Sequence, residues 1–143
     1  MNKKSIIVLV IILIFVAVIS AYYFAKPNKQ ASTSYIQGMK IEILKQGTGE
    51  GAKVGDNIVV NYVGTLTDGT KFDSSVDRNE PFPYTLGQNR VIQGWELGLL
   101  GMKTGEKRRL TIPPELGYGS RGAGSVIPPN STLVFEIDML SIN

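Results

Sequence analysis

The sequence predicts an α+β domain in which one short helix lies across an antiparallel sheet of about five strands. Several segments alternate apolar and polar residues with a period of two, most clearly TLVFEIDML at residues 132–140. An Asp-Gly dipeptide between two such segments is a strong hairpin signal. Helical periodicity occurs in residues 91–102, where Val91, Trp95 and Leu99 are spaced four apart.

The predicted strands follow one another along most of the chain. Strand patterning is found at residues 39–46, 58–66, 71–75, 81–86, 107–112 and 132–140. Asp68 and Gly69 join the second segment to the third. Pro81 and Pro83 place the fourth segment at a sheet edge or a bulge, because proline cannot donate a hydrogen bond to a ladder. The glycine-rich loop at 115–131 is long enough to be either functional or disordered.

The predicted helix needs a surface to pack against. Its apolar residues form one stripe, and the sheet is the expected partner for that stripe. Gly98 and Gly101 weaken the helix and offer a left-handed end, which predicts about two to three turns. The only tryptophan, Trp95, lies near the start of this helix. Its large indole is therefore a candidate floor for a site.

The composition excludes several kinds of chemistry. The 143 residues are enough for one ordinary domain. The absence of cysteine excludes disulfides, thiol nucleophiles, cysteine zinc sites and lipidation at a cysteine. The absence of histidine removes the commonest residue for catalytic triads, imidazole metal sites and proton shuttles near neutral pH. No metal and no other cofactor is expected.

The formal net charge of +3 is unevenly distributed. Before residue 39 there is no acidic residue, and the lysines in that stretch are Lys3, Lys4, Lys26 and Lys29. Subtracting these four charges from +3 leaves about −1, which is not the charge of a nucleic-acid-binding domain. Residues 107–109, KRR, are predicted to be a solvated strand rather than a phosphate-binding patch, because neighbouring side chains on a strand point in opposite directions.

The N-terminal residues 1–25 are predicted to be a transmembrane anchor. Lys3 and Lys4 are followed by an uncharged, apolar run about long enough to cross a bilayer as a helix. The lysines are expected to stay in the cytoplasm, which places the following domain outside it. Residues 26–38 are predicted to be a flexible linker, and residues 39–143 the folded domain.

A cleaved signal peptide is the alternative interpretation of the same residues. The apolar run is longer than usual for a signal peptide, and no clean small-x-small cleavage site ends it. The uncleaved anchor is therefore favoured. In the alternative, the domain is secreted.

Three short motifs are given ordinary structural interpretations. GYGSRG at residues 117–122 matches a dinucleotide fingerprint in form, but prolines precede it and no amphipathic helix follows. Residues 73–80, DSSVDRNE, lack the ligand spacing of a calcium loop, which favours a salt-bridged turn. Asn130 begins NST, a formal glycosylation acceptor that is interpreted as a turn.

Aromatic side chains are spread over different predicted elements. They are Tyr62, Phe72, Phe82, Trp95, Tyr118 and Phe135. Core packing explains each of them alone, but leucine, isoleucine and valine would fill a core of this size without them. Phe72 directly precedes Asp73, and Tyr118 lies on a loop that core packing gives no reason to order. The set therefore indicates a shared aromatic pocket.

Four segments of the domain are specific in their order and spacing. They are NYVGTLTDGTKFDSS, DRNEPFPYTLG, VIQGWELGLLGMKTGEKRRLTIPPELGYG and IPPNSTLVFEIDML. Together they resemble the FKBP-type peptidyl-prolyl cis-trans isomerases, the immunophilins that bind tacrolimus and rapamycin. The resemblance covers residues 39–143 and does not reach the N-terminal run. It implies a half-barrel of antiparallel strands wrapped around one short helix, with an apolar proline pocket between them.

The resemblance also implies roles for individual residues. Catalytic roles fall on Phe72, Asp73, Ile92 and Tyr118, with Ile92 offering its backbone N–H to a ligand carbonyl. Substrate-binding roles fall on Tyr62, Arg78, Phe82, Val91, Trp95, Val126, Ile127 and Phe135. Arg78 is expected to support the aspartate.

Two positions depart from the family pattern. Ala123 stands where well-known members carry a histidine, and Arg90 replaces an acid seen in some members. Both are expected at the rim of the pocket. They therefore bear on sequence preference and drug affinity more than on activity.

The resemblance implies cis–trans isomerisation of X-Pro bonds without covalent catalysis, and the N-terminal run leads us to expect this activity in the folding of exported proteins. The expected partners are proline-containing unfolded or partly folded polypeptides, the membrane through the N-terminal helix, and macrolides such as tacrolimus or rapamycin as candidate ligands. No nucleic acid is expected. The main alternative is a proline-recognition or chaperone module that binds without catalysing. A structural sheet domain on a membrane stalk is a third interpretation.

Overall fold

The computed structural model of the chain describes residues 12–21 and 32–143. The chain divides into two compact units, Met1–Gln30 and Ala31–Asn143. In the first unit, residues 12–21 are helical and exposed, and we call this helix α1. Within the described residues, no helix is both long enough and apolar enough to span a membrane. The rest of the predicted anchor, and the linker up to residue 31, lie outside the described residues.

The second unit is an antiparallel β structure with one short α-helix, as the sequence predicts. Its strands are β1 (Thr33–Ile36), β2 (Met39–Lys45), β3 (Thr48–Gly51), β4 (Asn57–Leu66), β5 (Lys71–Ser74), β6 (Phe82–Thr85), β7 (Lys103–Thr104), β8 (Lys107–Ile112) and β9 (Leu133–Ile142). The helix α2 covers Gln93–Gly98, and two short 3₁₀ helices follow at Pro114–Leu116 and Gly119–Arg121.

The main sheet has seven strands rather than about five. Its order is β1-β2-β8-β9-β4-β5, β6 also pairs with β4, and β3 pairs with β7 in a separate ribbon. The additional edge strand β1 pairs with β2, although its residues fall in the segment predicted to be a linker. All four β1 residues are exposed, so the segment has no buried face and therefore no period-two signal.

The centre of the sheet is formed by β4 and β9, which pair from Ile58 to Leu66. Alternate residues of both strands are buried, which confirms the period-two patterns. The predicted hairpin between β4 and β5 is also present, with Gly69 at a φ of 89° and the Asp68 carboxylate accepting a hydrogen bond from the Thr70 amide at 2.8 Å. As predicted, the proline-containing strand β6 lies on an edge, against the first half of β4.

The helix α2 has six residues and is shorter than the predicted two to three turns. Val91 precedes it, whereas Trp95 and Leu99 are buried beside the sheet. Gly94 and Gly98 lie against β8. A Cβ atom on either would come within 2.5 Å of a side-chain atom of Ile112 or Leu110, respectively. These glycines therefore allow the helix to approach β8 closely, a role that the sequence does not reveal.

The basic run on β8 is only partly solvated, which corrects the prediction for residues 107–109. Arg108 is buried, and its Nε donates a hydrogen bond to Glu106 Oε1 at 2.7 Å. Its Nη1 donates to the carbonyl oxygens of Gly98 and Leu100 at 2.7 and 3.1 Å. Strand alternation points one of the three basic side chains inward, and the end of α2 supplies the acceptors that this charge requires.

The long loop between β8 and β9 is ordered by its own short-range structure. Besides the two 3₁₀ helices, Ala123 and Ile127 form an isolated antiparallel bridge. Leu116 and Ile127 are buried in the core, so both halves of the loop are tied to the domain. Tyr118 lies between the two 3₁₀ helices and is 41% exposed.

Candidate active site

A cavity of about 340 Å³ lies beside the N-terminal end of α2. Strands β4, β5, β6 and β9, the segment before α2 and the β8–β9 loop all contribute to its lining. The lining residues are Tyr62, Phe72, Asp73, Phe82, Arg90, Val91, Ile92, Trp95, Tyr118, Ala123, Val126, Ile127 and Phe135. Every residue predicted for the site is among them except Arg78, which instead contacts two of the lining residues.

The aromatic rings in the cavity are arranged around Trp95. The indole makes edge-to-face contacts with Tyr62, Phe82 and Phe135, at centroid distances of 5.1, 5.9 and 5.3 Å. Phe72 meets Phe135 edge to face at 5.4 Å. Such contacts add to the stability gained by burial and hold each ring in one orientation. The cavity thus has rigid apolar walls.

A glycine that the sequence analysis missed makes this packing possible. Gly64 lies on β4 opposite Asp73 of β5 and Phe135 of β9. A Cβ atom at this position would lie 2.7 Å from the Phe72 ring and 2.8 Å from the Phe135 ring. A glycine inside a strand pattern is a signal of close approach, and it could have identified this residue.

The principal polar group of the cavity is the Asp73 carboxylate. The hydroxyl of Tyr62 donates a hydrogen bond to Asp73 Oδ2 at 2.5 Å, and the guanidinium of Arg78 forms an ion pair with Oδ1. Arg78 also donates from Nη2 to the Tyr62 hydroxyl oxygen at 3.1 Å. The Ser74 amide donates to Asp73 Oδ1 at 2.8 Å. The carboxylate is therefore fixed in orientation by three neighbours.

These contacts decide the charge states at the rim. Burial raises the pKa of Asp73, but the hydrogen bonds from Tyr62 and Arg78 and the Arg78 charge outweigh it, so the net pKa lies below the ordinary value. Burial and the nearby Asp73 charge raise the pKa of Tyr118. At neutral pH the Asp73 side chain is therefore a carboxylate and the Tyr118 side chain a protonated phenol.

Two N–H groups near α2 lack a partner within the part of the chain that the structure describes. The indole Nε1 of Trp95 is buried without a hydrogen bond. The amide of Ile92, at the N-cap of α2, makes no hydrogen bond to another described residue. A buried indole N–H usually has a partner, so its lack of one is a cost to the fold. Ile92 lines the cavity, and a carbonyl oxygen of a bound ligand would complete the hydrogen bonding of this amide, which is the role predicted for it.

Comparison with known proteins decides the family. Residues 48–140 match a family model described as FKBP-type peptidyl-prolyl cis-trans isomerase. The chain belongs to this family. The prediction that the FKBP-type domain is an isomerase is also confirmed, because relatives that it matches over nearly their whole length are named for this activity or for FK506 binding.

Three relatives illustrate the similarity. The FKBP-type chain is 53% identical over 108 residues to FK506-binding protein 1A of Neurospora crassa, covering 75% of this chain and 90% of that one. It is 50% identical over 107 residues to a peptidyl-prolyl cis-trans isomerase of Schizosaccharomyces pombe, covering 74% and 96%. FK506-binding protein 2B of Rhizopus delemar is 56% identical over 115 residues, covering 80% of this chain and 55% of its own.

The crystal structure of FkpA from Escherichia coli has the same fold. The TM-score is 0.71 and the sequence identity 45%, over 85% of this chain and 55% of that one. The FKBP-type chain therefore spans only about half the length of FkpA and of the Rhizopus delemar relative.

Further residues that the sequence analysis missed hold the FKBP-type site in shape. Ser75 is fully buried; its hydroxyl accepts a hydrogen bond from the Tyr62 amide at 2.8 Å and donates one to Asn61 Oδ1 at 3.0 Å. On the opposite side, buried Glu96 accepts hydrogen bonds from the Tyr84 hydroxyl and from the Gly87 and Asn89 amides. The first set positions β5 with Asp73, and the second positions the loop that leads into Val91 and Ile92.

The chemistry available to this site is non-covalent. Burial and the neighbouring Asp73 carboxylate raise the pKa of the Tyr62 hydroxyl, so this phenol is not activated as a nucleophile. The described residues contain no cluster of side chains that could hold a metal ion. The site offers instead an aromatic surface with a fixed carboxylate and a phenol at the edge. Such a surface can bind an apolar ring and change the solvation of an amide beside it.

Proposed function

We propose that this chain accelerates the cis–trans isomerisation of X-Pro bonds in unfolded or partly folded exported polypeptides. The observation that carries the proposal is the rigid aromatic cavity with Trp95 at its centre. A proline ring is apolar and compact, and its amide carbonyl lies directly beside it. The cavity therefore suits the ring, while Asp73 and Tyr118 lie where they can orient the peptide.

The energy required is modest. Rotation about an X-Pro bond faces a barrier of about 18–20 kcal/mol and takes roughly 10–100 s without a catalyst. An ordinary turnover of about 10–1,000 per second requires about 3–7 kcal/mol of preference for the transition state. No bond breaks, so neither histidine nor cysteine is needed. This fits a chain that has neither.

The mechanism follows from the loss of peptide resonance in the twisted transition state. A planar amide has more charge separation than a twisted one, so an environment without water favours twisting. The aromatic walls around Trp95 provide that environment. Ile92 would donate its free N–H to a carbonyl of the bound peptide, and the Tyr118 hydroxyl would donate another hydrogen bond from the rim.

The test is an isomerisation assay on proline-containing peptides with the full chain in detergent, with and without rapamycin. We expect acceleration that rapamycin inhibits. Asp73→Asn should lower kcat/KM, whereas Asp77→Asn is the matched control, because Asp77 is exposed, pairs with Lys71 and does not line the cavity. Peptide binding without any acceleration would replace the proposal with the binding-module alternative.

We also propose that residues 1–25 anchor the chain, with the domain on the extracytoplasmic side of the membrane. The support is the uncharged run after Lys3 and Lys4 together with the positive-inside rule. The chain should stay in the membrane fraction after alkaline extraction, and protease added from outside should cleave the domain. A mature N-terminus near Tyr22 would instead establish a cleaved signal peptide.

A further inference from the structure

A second cavity of about 410 Å³ adjoins the aromatic one. Phe82, Arg90 and Val91 line both cavities, so the two meet along the segment that leads into α2. The remaining lining of the second cavity mixes polar side chains, such as Asn57 and Gln88, with apolar ones, such as Ile58 and Pro83. A polypeptide whose proline occupies the first cavity can therefore continue into the second by passing Arg90.

The exposed charge at this junction belongs to Arg90. In the first cavity, the Asp73 carboxylate is already neutralised by its ion pair with Arg78. Arg90 is exposed and forms no ion pair with any residue in the described part of the chain. The second cavity is lined by no aspartate or glutamate side chain, although it is lined by Asn143 with its α-carboxylate, and the Glu96 carboxylate is buried beneath Tyr84. Arg90 is thus the charged side chain that both cavities share and that stays exposed to a bound peptide.

Hydrogen bonds to Tyr84 and Glu96 hold the backbone at Arg90 in place. The Arg90 amide donates to the Tyr84 hydroxyl oxygen at 3.4 Å, and the Asn89 amide donates to the buried Glu96 carboxylate at 2.7 Å. Tyr84 itself donates to Glu96. Because these contacts hold the turn before Val91, the Arg90 Cα is anchored between the two cavities while its guanidinium stays in contact with solvent.

We infer that Arg90 is a specificity-determining residue that favours substrates with an acidic side chain next to the proline. This rests on the proposed function. In such a complex, the proline occupies the aromatic cavity, and the polypeptide segment that passes Arg90 lies in the second cavity. A guanidinium can also pair with a carboxylate through two parallel hydrogen bonds, which makes the recognition directional.

The size of the effect follows from Coulomb attraction near the surface. The attraction between two unit charges about 6 Å apart in a water-like medium increases an affinity roughly threefold. Replacing an acidic side chain by a basic one turns this attraction into a repulsion of the same size, so the two peptides differ in affinity by about tenfold. We therefore expect kcat/KM to be about threefold higher for a glutamate peptide than for its glutamine analogue, and about tenfold higher than for its lysine analogue.

The experiment compares peptides with Glu, Gln or Lys immediately before the proline, and a second series with these residues immediately after it. The full chain is assayed at low ionic strength and again at about 0.5 M salt, where surface charges are largely screened. The Glu-to-Lys ratio of kcat/KM should exceed one in at least one series and fall towards one in salt. The series with the larger ratio identifies the side of the proline that faces Arg90.

Charge variants test whether the preference comes from the charge at Arg90 or from the net charge of the protein. Arg90→Gln should bring the Glu-to-Lys ratio close to one, and Arg90→Glu should invert it. Lys103→Gln removes the same charge from an exposed residue that lines neither cavity, and it should leave the ratio unchanged. Circular dichroism of each variant checks that it is folded.

The outcomes distinguish this inference from the proposal on which it rests. The role of Arg90 would be overturned if the acceleration did not depend on the charge next to the proline. It would also be overturned if Lys103→Gln reduced the Glu-to-Lys ratio of kcat/KM as much as Arg90→Gln does. Either result would leave the isomerase proposal intact. Failure to accelerate any peptide in either series would overturn the proposed function, and the specificity would fall with it.

Discussion

Gly64→Ala tests whether the aromatic packing around the cavity is responsible for activity. The new methyl group would lie 2.7 Å from the Phe72 ring and 2.8 Å from the Phe135 ring, whereas ordinary contacts lie at 3.4–4 Å. Each ring must therefore move by about 0.7 Å or the β4 backbone must shift. Gly64 does not have a positive φ, so alanine fits the backbone conformation and the strain comes only from the two rings.

Gly64→Ala is expected to change both the stability and the activity. Overpacking a rigid interior costs roughly 1–3 kcal/mol, so the free energy of unfolding should fall by about that amount in urea denaturation. A misplacement approaching 1 Å in a positioned site can lower the rate by up to about 100-fold, and we expect kcat/KM for a proline peptide to fall at least tenfold. The protein should still be folded, because single domains tolerate a change of this size.

Phe72→Leu in the Gly64→Ala background is the matched partner variant. Leucine is smaller than phenylalanine and vacates the space that the new methyl group needs. The double variant should therefore lose less stability than the sum of the two single variants, a coupling of roughly 1 kcal/mol. Strict additivity, or a Gly64→Ala protein as active and as stable as the original, would refute the role assigned to Gly64.

Three further predictions follow from the charges and rings of the domain. The pKa of folded Asp73 lies below its ordinary value of 3.8, so the stabilisation that it provides is complete above about pH 5 and is lost as the pH falls through the folded value. Asp73→Asn should remove this part of the acid dependence in denaturation at different pH values, and an unchanged profile would contradict the assignment. Arg108→Met leaves Glu106 buried without its partner and should cost about 3–5 kcal/mol, whereas Arg109→Met breaks a half-exposed pair and should cost at most about 1 kcal/mol. Equal losses of stability would refute that distinction. The fluorescence of Trp95, the only tryptophan, should change when a proline peptide or rapamycin binds, and an unresponsive signal would place the indole in the core alone.

Most strands were predictable because their signals are local. Alternation of apolar and polar residues in β9 and the Asp68-Gly69 turn report the backbone conformation of neighbouring residues directly. The edge strand β1 gave no such signal, because all of its side chains are exposed. Its existence depends on hydrogen bonds to β2, and backbone pairing of this kind is independent of side-chain polarity.

The lining of the candidate site was predictable mainly through the family resemblance. The four motif segments place Phe72, Asp73 and Trp95 at positions that match those of the family, and in the structure these residues line one cavity. The residues that support the site were missed. Ser75 and Glu96 act through hydrogen bonds to backbone amides, and no spacing of residue types along the chain identifies such bonds.

Patterns and motifs along the chain were enough to predict the class of the domain, its family and the kind of chemistry that a chain without histidine or cysteine can perform. Which small or charged residue faces which partner became apparent only in the folded domain. Gly64 lies between Phe72 and Phe135, and Arg108 turns inward to the end of α2. The physical reason is that turn and strand preferences act between neighbours along the chain. Close approach and charge burial depend on residues that are distant in sequence and meet only after folding.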